Sequence, residues 1–327
     1  MDSYRAGNSS SSSLAEDVLS QGDLVGEGIA LQGEPMRVVP ISSAQPLKAG
    51  AQEPEPAREF EVVRKLGSGS YAVVYLVREV LSRAPPSDDD HFRLDLDERS
   101  TSSHSVEYGR DFAVKLLSKA NLDEEAIQAQ LFEATVHQSL PAHPNIVTLH
   151  RTLETSSFLL LLLEFVPGED LFYFLEQARD HYDSDPSDGS DLSTGTTSRT
   201  PPTPGLLSSL HPTQLLSHTR LRLIASMFAQ MCEAVAVCHE TSVFHRDIKP
   251  ENFIVTDGWT THPDGTRERK VVVKLSDFGL STTDADSSDM DCGSAPYMSY
   301  ECRNNVAPTY KPRAADVWSL GIVLINM

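Results

Sequence analysis

The segment His245-Arg246-Asp247-Ile248-Lys249-Pro250-Glu251-Asn252 decides how the rest of the chain is read. Four residues separate Asp247 from Asn252, a pattern for which a purely structural role gives no reason. Just downstream, residues 253–255 and 271–275 read as short strands separated by a loop of glycine, threonine and charge. The second strand ends in Ser276-Asp277-Phe278-Gly279, whose aspartate stands 25 residues after Asn252. Upstream, residues 213–240 are predicted to form a long helix. Leu215, Leu216, Leu223, Ile224, Met227, Phe228, Met231 and Val235 make its broad apolar face.

Further out, the character of the chain changes. Residues 1–57 open with the serine run Ser9 to Ser13 and close on Glu53-Pro54-Glu55-Pro56, and they are expected to be a disordered tail. Order is expected from Phe60, where Val62-Val63 and Val73-Val74-Tyr75-Leu76-Val77 flank a glycine-rich turn and predict a hairpin. A polar insertion over about 82–109 precedes a strand at 112–117. A helix is predicted over 123–140 and a continuous apolar strand over 158–166. Residues 182–212 have linker chemistry, rich in Ser, Thr, Asp, Pro and Gly, and 257–270 read as a third polar insertion. Another apolar helix begins at Asp316. Strands first and helices later predict an α+β fold, a small antiparallel β-sheet lobe packed on a largely helical lobe.

From about Phe60 to Met327 the sequence resembles the protein kinase superfamily, because several motifs fall in that family's order. Gly67-Ser68-Gly69-Ser70-Tyr71-Ala72-Val73-Val74 matches the phosphate-covering loop, where glycine lets backbone approach phosphate closely. Ala72 replaces the third glycine. Lys115, in Phe112-Ala113-Val114-Lys115, matches the strand lysine that neutralises phosphate oxygens and is held by a helix carboxylate. Glu133 is the choice for that carboxylate; Glu124 and Glu125 are alternatives. His137 follows where the family buries an apolar side chain, and a neutral, packed imidazole is expected.

The resemblance implies further roles. Glu164-Phe165-Val166 becomes the hinge that reads adenine through its backbone, with Leu163 behind it and Asp170 at the ribose. Val74 and Ala113 above, with Leu171 and Ile254 below, would form the apolar slot for the ring. Asp247 would accept a hydrogen bond from the substrate hydroxyl. Lys249 marks the serine/threonine branch, and Asn252 and Asp277 would hold Mg²⁺. Arg246 would meet either a phosphorylated Ser/Thr or one of Asp284, Asp286, Asp289 and Asp291. Ser294 would bond Asp247 and Lys249, and Asp316 would brace the catalytic loop. Tyr300 stands in the family's proline position, which puts the backbone there in question. The wording from Cys292 to Asn304 is most similar to fungal kinases of the meiosis-inhibiting branch. The implied enzyme is a protein serine/threonine kinase using ATP and Mg²⁺, acting on Ser/Thr of protein substrates.

Composition narrows the remaining classes. A formal net charge of −20, from 27 Lys+Arg against 47 Asp+Glu, argues against nucleic acid, whose phosphates require clustered cations. Solubility explains the acidity as well as a preference for basic substrates would. Cys232, Cys238, Cys292 and Cys302 form no C-x-x-C pair and indicate neither a disulfide framework nor a zinc site. Without an apolar leader, and with 158–163 as the longest apolar run, no membrane partner is expected and a cytoplasmic or nuclear setting follows. Regulatory partners are expected at the tail and the insertions. The resembled family continues for further helices beyond the Trp318 helix, so a helical lobe lacking its last helices is expected, with poor stability and weak activity. The alternative is a kinase-like scaffold with little activity.

Overall fold

The computed structural model describes residues 18–40, 58–69, 72–83, 106–180, 218–261 and 264–327. The β-branched runs of the first half assemble one antiparallel seven-stranded sheet. Its long strands are β5 (Glu59–Ser68), β6 (Ala72–Arg83), β7 (Val106–Ser118), β8 (Leu149–Glu154) and β9 (Phe158–Glu164). Four shorter strands precede them: β1 (Leu24–Gly26), β2 (Ala30–Leu31), β3 (Glu34–Pro35) and β4 (Arg37–Val38). The order across the sheet is β1-β5-β6-β7-β9-β8-β4, while β2 and β3 pair with each other.

The helix α1 (Glu124–Ser139) crosses one face of this sheet. It starts where Asp123 accepts a hydrogen bond from the Ala126 N–H at 2.9 Å, and Glu124 and Glu125 place negative charge in its first turn. Between helix and sheet lie Leu117, Ala134, Leu159 and Leu161, with Leu131, Leu149 and Val39 alongside.

The opposite face carries a larger apolar cluster, and here the expected disordered tail of residues 1–57 is corrected. Leu19, Val25, Leu31 and Met36 are buried there against Phe60, Val62, Tyr75, Val77, Phe112, Leu160 and Leu162. Residues 18–40 therefore form a strap that adds a strand to each edge of the sheet, β1 on β5 and β4 on β8, and covers its outer face. Burial of those four side chains, each worth about 1.5–3 kcal/mol, offsets the ordering cost of a segment with few regular hydrogen bonds. Residues 1–17 and 41–57 lie outside the described residues.

Two more boundaries move. β6 runs to Arg83 and β7 begins at Val106, so the ends of the expected 82–109 insertion belong to strands, with 84–105 outside the described residues. The expected loop at 257–270 is a hairpin, because β11 (Phe253–Thr261) and β12 (Arg267–Leu275) pair continuously to its end. Cross-strand pairs hold its exposed part: Arg269 bonds Asp257 at 2.6 Å and the Arg267 guanidinium lies 5.0 Å over the Trp259 ring. The 182–212 insertion lies outside the described residues.

Below the sheet, β10 (Gly168–Asp170) joins β11 and β12, and the helices α2 (Leu171–Asp180), α3 (His218–Glu240), α4 (Tyr300–Asn304) and α5 (Pro312–Asn326) complete a second lobe. By length and composition alone, α3 is a helix that could cross a bilayer, longer than the apolar run noted from the sequence. Its Met227, Met231, Ala234, Val235 and Cys238 are buried in the core of this lobe with Ile146, Phe253, Val273 and Leu275. The lobes join where Val147 N–H donates to Leu275 O at 2.9 Å and Leu275 N–H to Asn145 O at 2.8 Å. This is the two-lobed arrangement expected from the sequence.

Candidate active site

Lys115 lies on β7, where the strand alternation that buries Val114 and Leu116 in the outer cluster turns it toward α1. Its ammonium sits between two carboxylates, 2.6 Å from Glu133 Oε1 and 2.8 Å from Asp277 Oδ1. The pairing selects Glu133 over Glu124 and Glu125, both in the helix's first turn. Burial works against charge on Lys115, yet Glu133 and Asp277 outweigh it and its pKa rises. Burial also pushes both carboxyls up. At Glu133 burial prevails, whereas at Asp277 the neighbouring Lys115 more than offsets it and the pKa falls. Asp277 is thus the more firmly ionised of the two.

Asp247, Lys249, Asn252 and Ser294 form the second group. Lys249 Nζ is 2.7 Å from Asp247 Oδ2 and donates to Ser294 Oγ at 2.9 Å, and Ser294 Oγ donates to Asp247 Oδ1 at 2.8 Å. Asn252 closes a single 3₁₀ turn, Pro250–Asn252, and donates its amide to Asp247 O at 2.7 Å. The two groups are joined through the backbone, since Ser276 N–H donates to Asn252 O at 2.9 Å immediately before Asp277. Three strands and a loop distant in sequence therefore bring Lys115, Asp277, Asn252 and Asp247 into one neighbourhood where the lobes join.

The loop that carries Asp247 is held in an unusual shape. Arg246 has φ 66° and Asp277 φ 62°, both in the left-handed region that side chains disfavour. Asp316 on α5 offsets the first: it is 1% exposed and accepts from Arg246 N–H at 2.7 Å, His245 N–H at 2.9 Å and His239 Nε2 at 2.8 Å. His245 in turn donates from Nε2 to Ser276 O at 3.1 Å and accepts the Asp247 N–H on Nδ1 at 3.3 Å. Phe278 is buried between two imidazoles, with ring centres 4.5 Å from His137 and 5.1 Å from His245. His137 donates from Nε2 to the Val147 carbonyl at 2.7 Å, and burial lowers its pKa to about 4, which keeps it neutral as expected.

Above the cleft, Gly67 and Ser68 pair across the hairpin with Val74 and Val73, and Gly69 N–H donates to Ala72 O at 2.8 Å. A Cβ at Gly67 would meet no atom within 4 Å. Ser70 and Tyr71 of the loop lie outside the described residues. Val74 pairs with Lys115 across β6 and β7, and Ala113 pairs with Leu163 across β7 and β9. Glu164 ends β9, where its side chain bonds Lys274 at 2.9 Å, and Val166 follows, 7% exposed. Asp170 pairs with Ile254 between β10 and β11.

Two expected contacts change. Leu171 is not a floor for a flat ring: it is 0% exposed, in the core of the lower lobe with Phe253 and Met227. Asp170 Oδ1 accepts the Tyr173 N–H at 2.7 Å and so starts α2, which leaves only its other oxygen free of that bond. His239 was missed in the sequence, since its partner Asp316 lies 77 residues away. Arg246 meets Asp289, at 3.1 Å, among the four aspartates proposed for it. Among the described residues no cluster of three or more His, Cys, Asp or Glu side chains is placed to hold a metal by itself.

Comparison with known proteins agrees with this geometry. The family model described as protein tyrosine and serine/threonine kinase matches residues 60–327. The chain is 28% identical over 282 residues to the negative regulator of sexual conjugation and meiosis of Schizosaccharomyces pombe, covering 80% of this chain and 44% of that protein. It is 27% identical over 270 residues to the human SNF-related serine/threonine-protein kinase, covering 82% of this chain and 25% of that one. A 106-residue stretch is 42% identical to the serine/threonine-protein kinase ksp1 of S. pombe, covering 32% and 21%. The chain thus spans less than half the length of these relatives.

Proposed function

Because the chain belongs to the protein tyrosine and serine/threonine kinase family, we propose that it transfers the γ-phosphoryl group of ATP to serine and threonine hydroxyls of protein substrates. The observation that carries this reading is the pairing of Lys115 with Glu133 and Asp277 beside the group of Asp247, Lys249 and Asn252, the two groups joined by the Ser276–Asn252 backbone bond.

Phosphoryl transfer asks a protein mainly to position groups and to neutralise charge. Lys115, held by Glu133, presents a fixed cation to phosphate oxygens. Glycine at positions 67 and 69 would let phosphate approach the hairpin backbone closely. Val74, Ala113 and Ile254 line the slot for the purine, with the backbone of Glu164 and Val166 at its edge. Asp247 would accept the hydrogen bond of a substrate hydroxyl and aim its oxygen. Lys249, at 2.7 Å from Asp247, sits where it can shift its donors to a transferring phosphoryl group.

Magnesium, when bound, neutralises charge on the phosphates. Asn252 and Asp277 are the oxygen-bearing side chains that would hold it. Two such ligands suit an ion that takes its remaining oxygens from phosphates and water rather than from a protein cage.

The test is incorporation of label from γ-labelled ATP into a mixed Ser/Thr peptide library, comparing the protein with Asp247→Asn. Loss of a positioned base is expected to lower the rate by about 10²–10⁴-fold. Equal incorporation by both proteins would remove Asp247 from the reaction.

A further inference from the structure

We propose that residues 19–26 of the strap fix the pivot of the β5–β6 hairpin at Val62 and thereby set how tightly the protein holds ATP. The proposal rests on the phosphotransfer reading and adds to the nucleotide site a part of the chain that lies ahead of the family match.

Three changes coincide at Val62. Up to that residue β5 is flanked on both sides, by β6 on one and by the strap on the other, where Leu24, Val25 and Gly26 pair with Glu61, Phe60 and Glu59. The last strap bonds fall on Val62 itself. Its N–H donates to Asp23 O at 2.8 Å, and its carbonyl accepts the Gly22 N–H at 2.8 Å. Burial ends at the same point: Phe60 and Val62 are 1% exposed, whereas Arg64, Lys65, Gly67 and Ser68 are exposed. The pairing with β6 slips there too, between Val62 and Arg64 and again between Lys65 and Gly67. Such shifts interrupt the ladder and let a strand bend. Past Val62, among the described residues, β5 is therefore held by β6 alone.

The strap is tied down at both ends. Near β5, Asp23 Oδ2 accepts the Ser20 N–H at 2.7 Å and closes the turn that delivers Gly22, while Leu19 N–H reaches the Tyr75 hydroxyl at 3.4 Å. Tyr75 adjoins Val74 of the purine slot. At the far edge of the sheet, Val39 N–H donates to Thr152 O at 3.0 Å and Glu34 accepts the Ser156 N–H at 2.9 Å. Both strands of the hairpin are thus anchored at their root to a segment that spans the sheet.

The effect on nucleotide is one of populations. Apparent affinity scales with the fraction of protein already in the binding-competent arrangement, and a fixed root raises that fraction. Lys115, Asp247, Asn252 and Asp277 lie on other elements. Freeing the root should therefore weaken nucleotide binding and leave transfer from bound ATP largely intact.

Gly26 offers the sharpest perturbation, since a Cβ there would lie 2.5 Å from Arg58 O and Gly26→Ala must push β1 off β5. Val25→Ala, at a residue 0% exposed, weakens the same attachment more mildly and carries the test if Gly26→Ala does not fold. Leu153→Ala is the control: it takes a side chain from the same apolar cluster on β8 and leaves β1 in place. The full chain and each variant are titrated with Mg·ADP by calorimetry, assayed for kcat and the KM for ATP, and followed by amide hydrogen exchange at residues 72–76. Gly26→Ala is expected to raise the Kd for Mg·ADP and the KM for ATP about tenfold, with kcat within about twofold, and to speed exchange at 72–76. Val25→Ala should move both constants about threefold in the same direction. Leu153→Ala should lower the melting temperature yet keep the Kd within about twofold of wild type. An unchanged Kd in both strap variants, or an equal loss of affinity in Leu153→Ala, would overturn the proposal. If the wild type binds no nucleotide, the phosphotransfer reading fails; faster exchange at 72–76 in Gly26→Ala alone then keeps the pivot, and its absence removes that as well.

Discussion

Replacing Asp316 by alanine should damage the protein more than any change at the cleft surface. The carboxylate is 1% exposed and accepts three bonds, from His239 at 2.8 Å, His245 N–H at 2.9 Å and Arg246 N–H at 2.7 Å. Alanine leaves three buried donors without their acceptor. At about 1–3 kcal/mol for each unsatisfied group, and allowing for water entering the space, the loss is about 3–6 kcal/mol. That is a large share of the roughly 5–15 kcal/mol by which domains are stable. The local effect is as informative. Arg246 at φ 66° stores about 1–3 kcal/mol of backbone strain that the bond to Asp316 offsets, so without it the loop relaxes and carries Asp247 with it. Asp316→Asn keeps the shape but turns an amide N–H₂ toward one of the donors, so it should fall between alanine and wild type, at about 2–4 kcal/mol. Urea unfolding followed by circular dichroism measures both. A loss below about 1 kcal/mol for Asp316→Ala would refute the claim that this carboxylate braces the catalytic loop.

Two further outcomes follow from the buried groups. His137 has a folded pKa of about 4 against an ordinary 6.5, so as pH falls the unfolded chain takes up its proton first. Stability is thus expected to decline from about pH 6.5 down to about pH 4, by up to about 3 kcal/mol from this residue, and His137→Leu should flatten that part of the profile. Parallel slopes for the two proteins in pH-dependent urea melts would reject the assignment. Met36, 1% exposed in the outer cluster, should cost about 2–5 kcal/mol when truncated to alanine; a change under about 1 kcal/mol would mean that the strap contributes little to folding.

Much of the site was legible because its chemistry fixes residue type and spacing together. Asp247, Lys249 and Asn252 lie within one short loop, and Asp277 follows at the end of the next hairpin, an order that resembles the protein kinase superfamily's and so grouped them. Glu133 was chosen for its likeness to the family's pattern, and its contact with Lys115 selects it over Glu124 and Glu125. The errors arose where a residue's partner is remote or where a local role competes. His239 gives no signal by itself, since nothing in its neighbourhood announces a carboxylate on a helix 77 positions away. Leu171 was assigned to the cleft, but it begins α2 and its side chain turns into the lower core, a choice of helix phase that sequence does not settle. At Asp170 the sequence did hold a clue: an aspartate just before an apolar helix commonly caps it, and the bond to Tyr173 N–H does this here.

The strap had no local signature of its own, since its strands are two or three residues long and Leu19, Val25, Leu31 and Met36 are spaced by six, six and five. Neither the period of a strand nor that of a helix can be seen in such a segment. The evidence for it lay elsewhere, in the strands it covers. Phe158 to Leu163 is apolar at every position, and Val73 to Val77 nearly so, whereas a strand with one wet face alternates. Both faces of this sheet therefore had to be dry. The helix α1 covers one of them, burying Ala134 against Leu159 and Leu161. The other face presents Val62, Tyr75, Val77, Phe112, Leu160 and Leu162, a patch too large to leave in water without inviting association. A second layer was thus required by the composition of β6 and β9, and it comes from residues 18–40, ahead of the span matched by the family model. Where a sheet reads as apolar on both sides and the neighbouring helices account for one, chain that resembles a tail is the place to look for the other.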